Sequence, residues 1–77
     1  MEVKVFASIK EKIGSDTIDL FVGDSITAGE LKSHIFVDYP ELDGEVFQVA
    51  KNEAFVKDDE VLTSEDTIAL IPPVSGG

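Results

Sequence analysis

Asp66-Thr67-Ile68-Ala69-Leu70-Ile71-Pro72-Pro73-Val74-Ser75-Gly76-Gly77 closes the chain and carries the reading of the fold. Its first half alternates as a strand does, with Ile68 and Leu70 on one face and Thr67, Ala69 and Ile71 on the other. Pro72 and Pro73 end that strand, because the proline ring locks φ and has no N–H to give a ladder. The two glycines beyond them leave the last carboxylate sterically bare, and their backbone can follow a narrow enzyme site. Five or six extended residues span at most roughly 17–21 Å, enough to leave one protein and enter another. The same residues also read as an ordinary frayed end. The expected division is a folded domain over 1–72 and a flexible, extended Gly-Gly tail over 73–77.

The rest of the chain supplies partners for that last strand. Glu2 to Ser8 alternates, with Val3, Val5 and Ala7 toward a core and Glu2, Lys4 and Phe6 away from it. Ser8-Ile9-Lys10-Glu11 fits a capping box opening a short helical turn that Gly14 ends. Thr17 to Val22 is a second strand with Ile18, Leu20 and Val22 inward, close enough to the first to pair with it antiparallel. Gly23-Asp24-Ser25 breaks the pattern. Thr27 and Glu30 form a capping box for the main amphipathic helix, whose Leu31, Ile35 and Tyr39 recur every fourth residue up to Pro40. An acidic loop over Glu41 to Glu45 follows, then a third strand over Val46 to Ala50, and a turn at Asn52-Glu53 into Phe55-Val56. Lys57 to Glu60 reads as a solvated loop, and Leu62 to Glu65 as a charged helical turn. The order strand, strand, helix, strand, short strand, strand predicts an α+β domain, a mixed sheet with one main helix packed on one face.

Such a sheet leaves its other face open, and three large apolar residues fall there or in no core position: Phe6, Ile71 and Phe55. If the first and last strands are neighbours, Phe6 and Ile71 meet at the base of the tail in a patch of the kind that marks interfaces. Single exposed apolar residues are also ordinary.

Composition narrows the functions open to the chain. A chain of 77 residues makes one small core and no internal cleft, so function belongs on a surface or in the tail. It has no apolar run that could span a bilayer and no basic-then-apolar leader, which predicts a soluble, cytoplasmic protein with no membrane partner. The absence of cysteine removes disulfides, thiolate metal sites and cysteine nucleophiles. Sixteen acidic residues against six lysines give a net charge of -10, which argues against nucleic acid and toward a basic protein partner, or simply keeps a small domain dispersed. With no arginine there is no bidentate fork for a phosphate. The lone His34 lies near the Leu31/Ile35 face without a second ligand or nucleophile, and it receives no role. The acidic loops lack the glycine and terminal glutamate of a calcium loop, and neither a phosphate loop nor a serine elbow occurs. These residues predict no metal, no bound cofactor and no catalysis by side chains of this chain.

Val5-Phe6-Ala7-Ser8-Ile9-Lys10-Glu11, the Leu31 to Pro40 helix end, Val49-Ala50 before Asn52-Glu53, and above all the closing strand with Pro72-Pro73-Val74-Ser75-Gly76-Gly77 resemble the small subunit of molybdopterin synthase, in the ubiquitin-like sulfur carrier family. The resemblance covers essentially the whole chain. Gly-Gly alone is shared with thiamine-pathway sulfur carriers and ubiquitin-like modifiers; the Pro-Pro-Val-Ser lead-in is more specific. Lys10, Lys51 and Glu65 stand where family members commonly carry arginine, an apolar residue and glycine. The resemblance implies a β-grasp fold with the first and last strands side by side in the sheet centre. It also implies that an adenylating enzyme uses ATP to activate the Gly77 carboxylate, and that a sulfur donor then leaves a thiocarboxylate there. The tail would enter the large synthase subunit, in an assembly of two large and two small subunits, and pass sulfur to cyclic pyranopterin monophosphate to build the molybdopterin dithiolene. In that scheme Pro73 directs the tail, Val74 anchors it, Ser75 makes polar contacts, Gly76 passes a constriction, and Phe6, Phe55 and Ile71 form the partner interface. Three other functions stay open: a carrier for thiamine-thiazole synthesis, a ubiquitin-like protein tag, and a plain interaction domain.

Overall fold

The structure, a computed structural model, describes residues 1–73. In chain order it contains β1 (Glu2–Val5), α1 (Ala7–Ile13), β2 (Thr17–Asp19), β3 (Ser25–Thr27), α2 (Ala28–Asp38), a 3₁₀ turn (Pro40–Leu42), β4 (Gln48–Lys51), β5 (Ala54–Phe55), β6 (Val61–Thr63) and β7 (Ile68–Ile71). Five strands form one sheet in the order β2-β1-β7-β4-β5, and β3 with β6 forms a small second sheet. β1 and β7 run parallel in the centre; β1–β2, β4–β7 and β4–β5 are antiparallel. This is the mixed sheet and the central pairing of first and last strands expected from the sequence, and the fold is the ubiquitin-like β-grasp.

One face of the sheet is closed by helix. Val3, Val5, Ile18, Val49, Ile68 and Leu70 point into a core completed by Ile9 of α1, by Ala28, Leu31 and Ile35 of α2, and by Ile26 and Leu62 of the small sheet. Among the described residues no polar or charged residue is buried. The Thr27/Glu30 capping box forms as predicted: Thr27 N donates to Glu30 Oε1 at 3.0 Å and Glu30 N to Thr27 Oγ1 at 3.2 Å. α2 ends before Pro40, with Tyr39 N bonded to Ile35 O at 2.8 Å.

Several local expectations are corrected. The first strand stops at Val5. Ala7 is exposed rather than in the core, because the chain turns directly into α1 there with Ala7 at φ 51°. No side chain caps α1; Ser8 lies inside the helix and its Oγ donates to Glu45 Oε1 at 2.9 Å, so the predicted Ser8 box is absent. Gly14 does end α1, at φ 73°. The second strand is confined to Thr17–Asp19. Val61–Thr63 is a strand paired with Ser25–Thr27, not part of a helical turn. Each of these strands buries a single residue, Leu62 or Ile26, too few to show a period of two. The acidic loop holds the 3₁₀ turn, which buries Leu42 under the helix pair. The third strand is Gln48–Lys51, after an exposed Val46 and a buried Phe47 that stacks on Phe36, ring centroids 5.5 Å apart. The short strand is Ala54–Phe55 and the last is Ile68–Ile71, each shifted from its predicted start. Among the described residues no helix is long and apolar enough to cross a membrane.

Candidate functional site

The face of the sheet that no helix covers is built by the odd partners of the core positions. Lys4 pairs with Ala69, Ala69 with Ala50, and Ala50 with Phe55, which makes one row across β1, β7, β4 and β5. Ile71 pairs with Gln48, and Phe6 lies one step beyond the Val5–Leu70 pair, beside Ile71. The two alanines are the lowest points of these rows, and the larger side chains around them enclose a depression of about 390 Å³. Phe6, Phe55 and Ile71 all line it. Phe6 is 45% exposed and Phe55 63% exposed, large values for aromatic rings. Phe6 and Ile71, which stand out by their strand parity, and Phe55, which has no core position, are thus brought together on one surface, where β7 passes into Pro72 and Pro73.

Phe55 reaches that surface because a tight hairpin carries it. Asn52 and Glu53 both adopt left-handed conformations, φ 52° and 73°, the pattern of a two-residue turn that matches strand twist. Asparagine tolerates this; a glutamate there is strained. The turn is held by a polar cluster. Asn52 Oδ1 accepts from Thr67 N at 2.9 Å while Asn52 N donates to Thr67 O at 2.8 Å. Asn52 Nδ2 donates to Asp66 Oδ1 at 3.0 Å, and Asp66 Oδ2 accepts from Thr63 N at 2.8 Å. Lys51 Nζ donates to Glu60 Oε2 and Val61 O, both at 3.0 Å, and stands 3.9 Å from Asp66 Oδ2. The Thr63 backbone N–H, the Asn52 amide and then Lys51 hold the Asp66 carboxyl below its ordinary value, while the hydrogen bond to Glu60 raises the Lys51 ammonium. The cluster ties the β4–β5 turn to the residues that start β7.

Pro73 is exposed at the end of the described chain. Val74, Ser75, Gly76 and Gly77 lie outside the described residues. His34 is exposed on α2, apart from the open sheet face. Among the described residues no three His, Cys, Asp or Glu side chains are grouped to hold a metal ion. The sequence pattern alone does not single out Lys4, Ala50, Ala69 or the Asn52–Asp66 cluster. The parity of Ala69 was readable, but its meeting with Ala50 depends on a strand pairing that no local pattern specifies.

A helix-backed five-stranded sheet with its last described strand in the centre defines a ubiquitin-like protein. Residues 3–77 match the ThiS family, and the chain belongs to it. It is 37% identical over 84 residues to the molybdopterin synthase sulfur carrier subunit of Dictyostelium discoideum, covering 99% of this chain and 94% of that one. It is 32% identical to small archaeal modifier protein 1 of Haloferax volcanii, covering 100% of both chains. The crystal structure of that protein superposes with a TM-score of 0.79 over 99% of this chain and 97% of its own. A chain of the protein–protein complex of subunits 1 and 2 of molybdopterin-converting factor from Helicobacter pylori is 28% identical, with a TM-score of 0.67 over 99% of this chain and 96% of that one. The family read from the closing strand and the Pro-Pro-Val-Ser-Gly-Gly end is the family found.

Proposed function

We propose that this chain is the sulfur-carrying subunit of molybdopterin synthase and that the Gly77 carboxyl is the group that carries the sulfur. The observation that supports this most is the position of β7. It leads into Pro72-Pro73 from the sheet centre, directly beside the apolar face that no helix covers. A protein that grips this face therefore sits where the tail begins, and the tail needs no search to find its site.

A terminal carboxylate, with a pKa of about 3.3–3.7, is ionised at neutral pH and is a poor electrophile. An adenylating enzyme binds ATP; the Gly77 carboxylate attacks its α-phosphate, displaces pyrophosphate and becomes an acyl-adenylate. A sulfur donor then displaces AMP, leaving the thiocarboxylate. In the large subunit its sulfur attacks cyclic pyranopterin monophosphate, and two such transfers build the dithiolene. Phe6, Phe55 and Ile71 form the dock for the large subunit, with two copies of each subunit in the assembly. Val74 anchors the tail, Ser75 meets the channel wall, and Gly76 passes its narrowest point. Intact mass measurement tests the chemistry: after incubation with adenylating enzyme, ATP and sulfur donor, one oxygen is replaced by sulfur at Gly77. An unchanged mass overturns the carrier reading.

The likeness to small archaeal modifier protein 1 along the whole chain favours one second reading, attachment of Gly77 to lysines of other proteins through an isopeptide bond. It predicts conjugates of higher mass in cell extracts that disappear when Gly76-Gly77 is deleted.

A further inference from the structure

We infer that the alanine-floored trough of the open face seats an apolar anchor of the large subunit, flanked on that subunit by a carboxylate that meets Lys4. The inference rests on the reading of this face as the large subunit's dock and adds the chemistry the partner must bring.

The floor decides the body of the occupant. Beneath Ala50 and Ala69 the backbones of β1, β7 and β4 are engaged in their ladders, so the floor has few donors or acceptors to offer. A polar group pushed onto it would lose water without replacement, whereas Phe6, Phe55 and Ile71 offer apolar contact on its sides. A volume of about 390 Å³ lies near the lower end of the roughly 300–1,000 Å³ of small-molecule pockets. Orientation of a small ligand needs fixed polar groups, and none of the described residues is a buried polar one. An anchor side chain on a protein needs no such groups, because its own backbone orients it.

The rim decides the neighbour. Among the described residues Lys4 is the one cation lining the trough; like Lys10 and Lys57 it has no ion pair there, whereas Lys12 and Lys32 each have one and Lys51 has two. Glu53 lines the trough from the β4–β5 turn, on the far side of the sheet from β1. On a chain of net charge -10, an unpaired cation beside an apolar seat gives a partner's carboxylate a place to land and so helps to fix the register of docking.

The test measures affinity for the purified large subunit. Ala69→Leu adds bulk from the solvent side of the sheet, away from the core; its dissociation constant should rise about tenfold or more. Lys4→Glu should slow association and change the salt dependence of binding, and Lys4→Arg should restore both. Unchanged binding by Ala69→Leu, while Phe6→Asp still breaks the complex, would overturn the trough but leave the dock. Unchanged binding by Phe6→Asp would overturn the dock itself. If circular dichroism shows that Ala69→Leu does not fold, Lys4→Glu on its exposed position decides alone, and unchanged affinity and salt slope refute the inference. Self-association of the native chain that Ala69→Leu abolishes would assign the trough to a second copy and overturn it as well.

Discussion

The two faces of the central sheet are made by the same strands and follow opposite rules. On the covered face Val3, Val5, Val49, Ile68 and Leu70 are essentially inaccessible and pack on the helices. On the open face Lys4, Phe6, Ala50, Ala69 and Ile71 alternate with them, small beside large, and leave a hollow. The first face is filled and the second is left unfilled at its centre. Stability therefore belongs to one set of residues and recognition to the other, although neighbours in sequence belong to different sets.

The largest expected effect lies on the covered face. Leu70→Ala removes a fully buried side chain from the central strand and should cost about 2–5 kcal/mol, a large share of the roughly 5–15 kcal/mol of a native domain. Thermal denaturation should show a midpoint lowered by roughly 10 °C or more. A smaller loss would mean that the core can collapse around the gap. On the open face Phe6→Asp should leave the midpoint nearly unchanged, within about 0.5 kcal/mol, yet weaken binding to the large subunit about tenfold or more. A variant that melted early would erase the distinction between the faces.

Glu53→Gly sharpens it further. Relief of a left-handed glutamate is worth about 1–2 kcal/mol, and the extra freedom of glycine in the unfolded chain takes back about 0.5–1 kcal/mol. The midpoint should rise slightly, while the Glu53 rim charge is lost. The smallest effect is in acid. The carboxyls of Asp66, Glu30 and Glu45 are all held below their ordinary values, by the Thr63 and Thr27 backbone N–H groups and by Lys12 respectively. Their contribution is complete above the unfolded values of about 3.9 and 4.3 and is lost as pH falls through the lower folded ones. The raised Lys51 ammonium acts in the opposite sense: its contribution is complete below about 10.4 and is lost as pH rises through the folded value. Melting midpoints measured from neutral pH downward should fall most steeply below about pH 4, and Asp66→Asn should flatten that slope.

What the sequence made legible follows from the same contrast. The covered face announces itself by alternation, so Val3, Val5, Ile18, Ile68 and Leu70 could be assigned to the core in advance, and the Thr27/Glu30 box marked the main helix. Phe6, Ile71 and Phe55 were legible as exceptions to the pattern. The trough was not, because it is made of what is small: Ala50 and Ala69 carry no signal until β4 and β7 are paired. The small sheet was hidden by its brevity, and Ser8 misled because its hydroxyl finds Glu45, remote in sequence, in place of a local backbone N–H.

The central place of β7 has a further consequence, for biosynthesis. β1 and β2 form a hairpin-like pair at one side of the sheet and β4 and β5 a hairpin at the other, and only Ile68–Ile71 joins them. A chain made from its N-terminus cannot unite these halves until its last strand has emerged from the ribosome, since the parallel β1–β7 pairing spans nearly its whole length. A chain cut short before β7 would lack both the joined sheet and the tail.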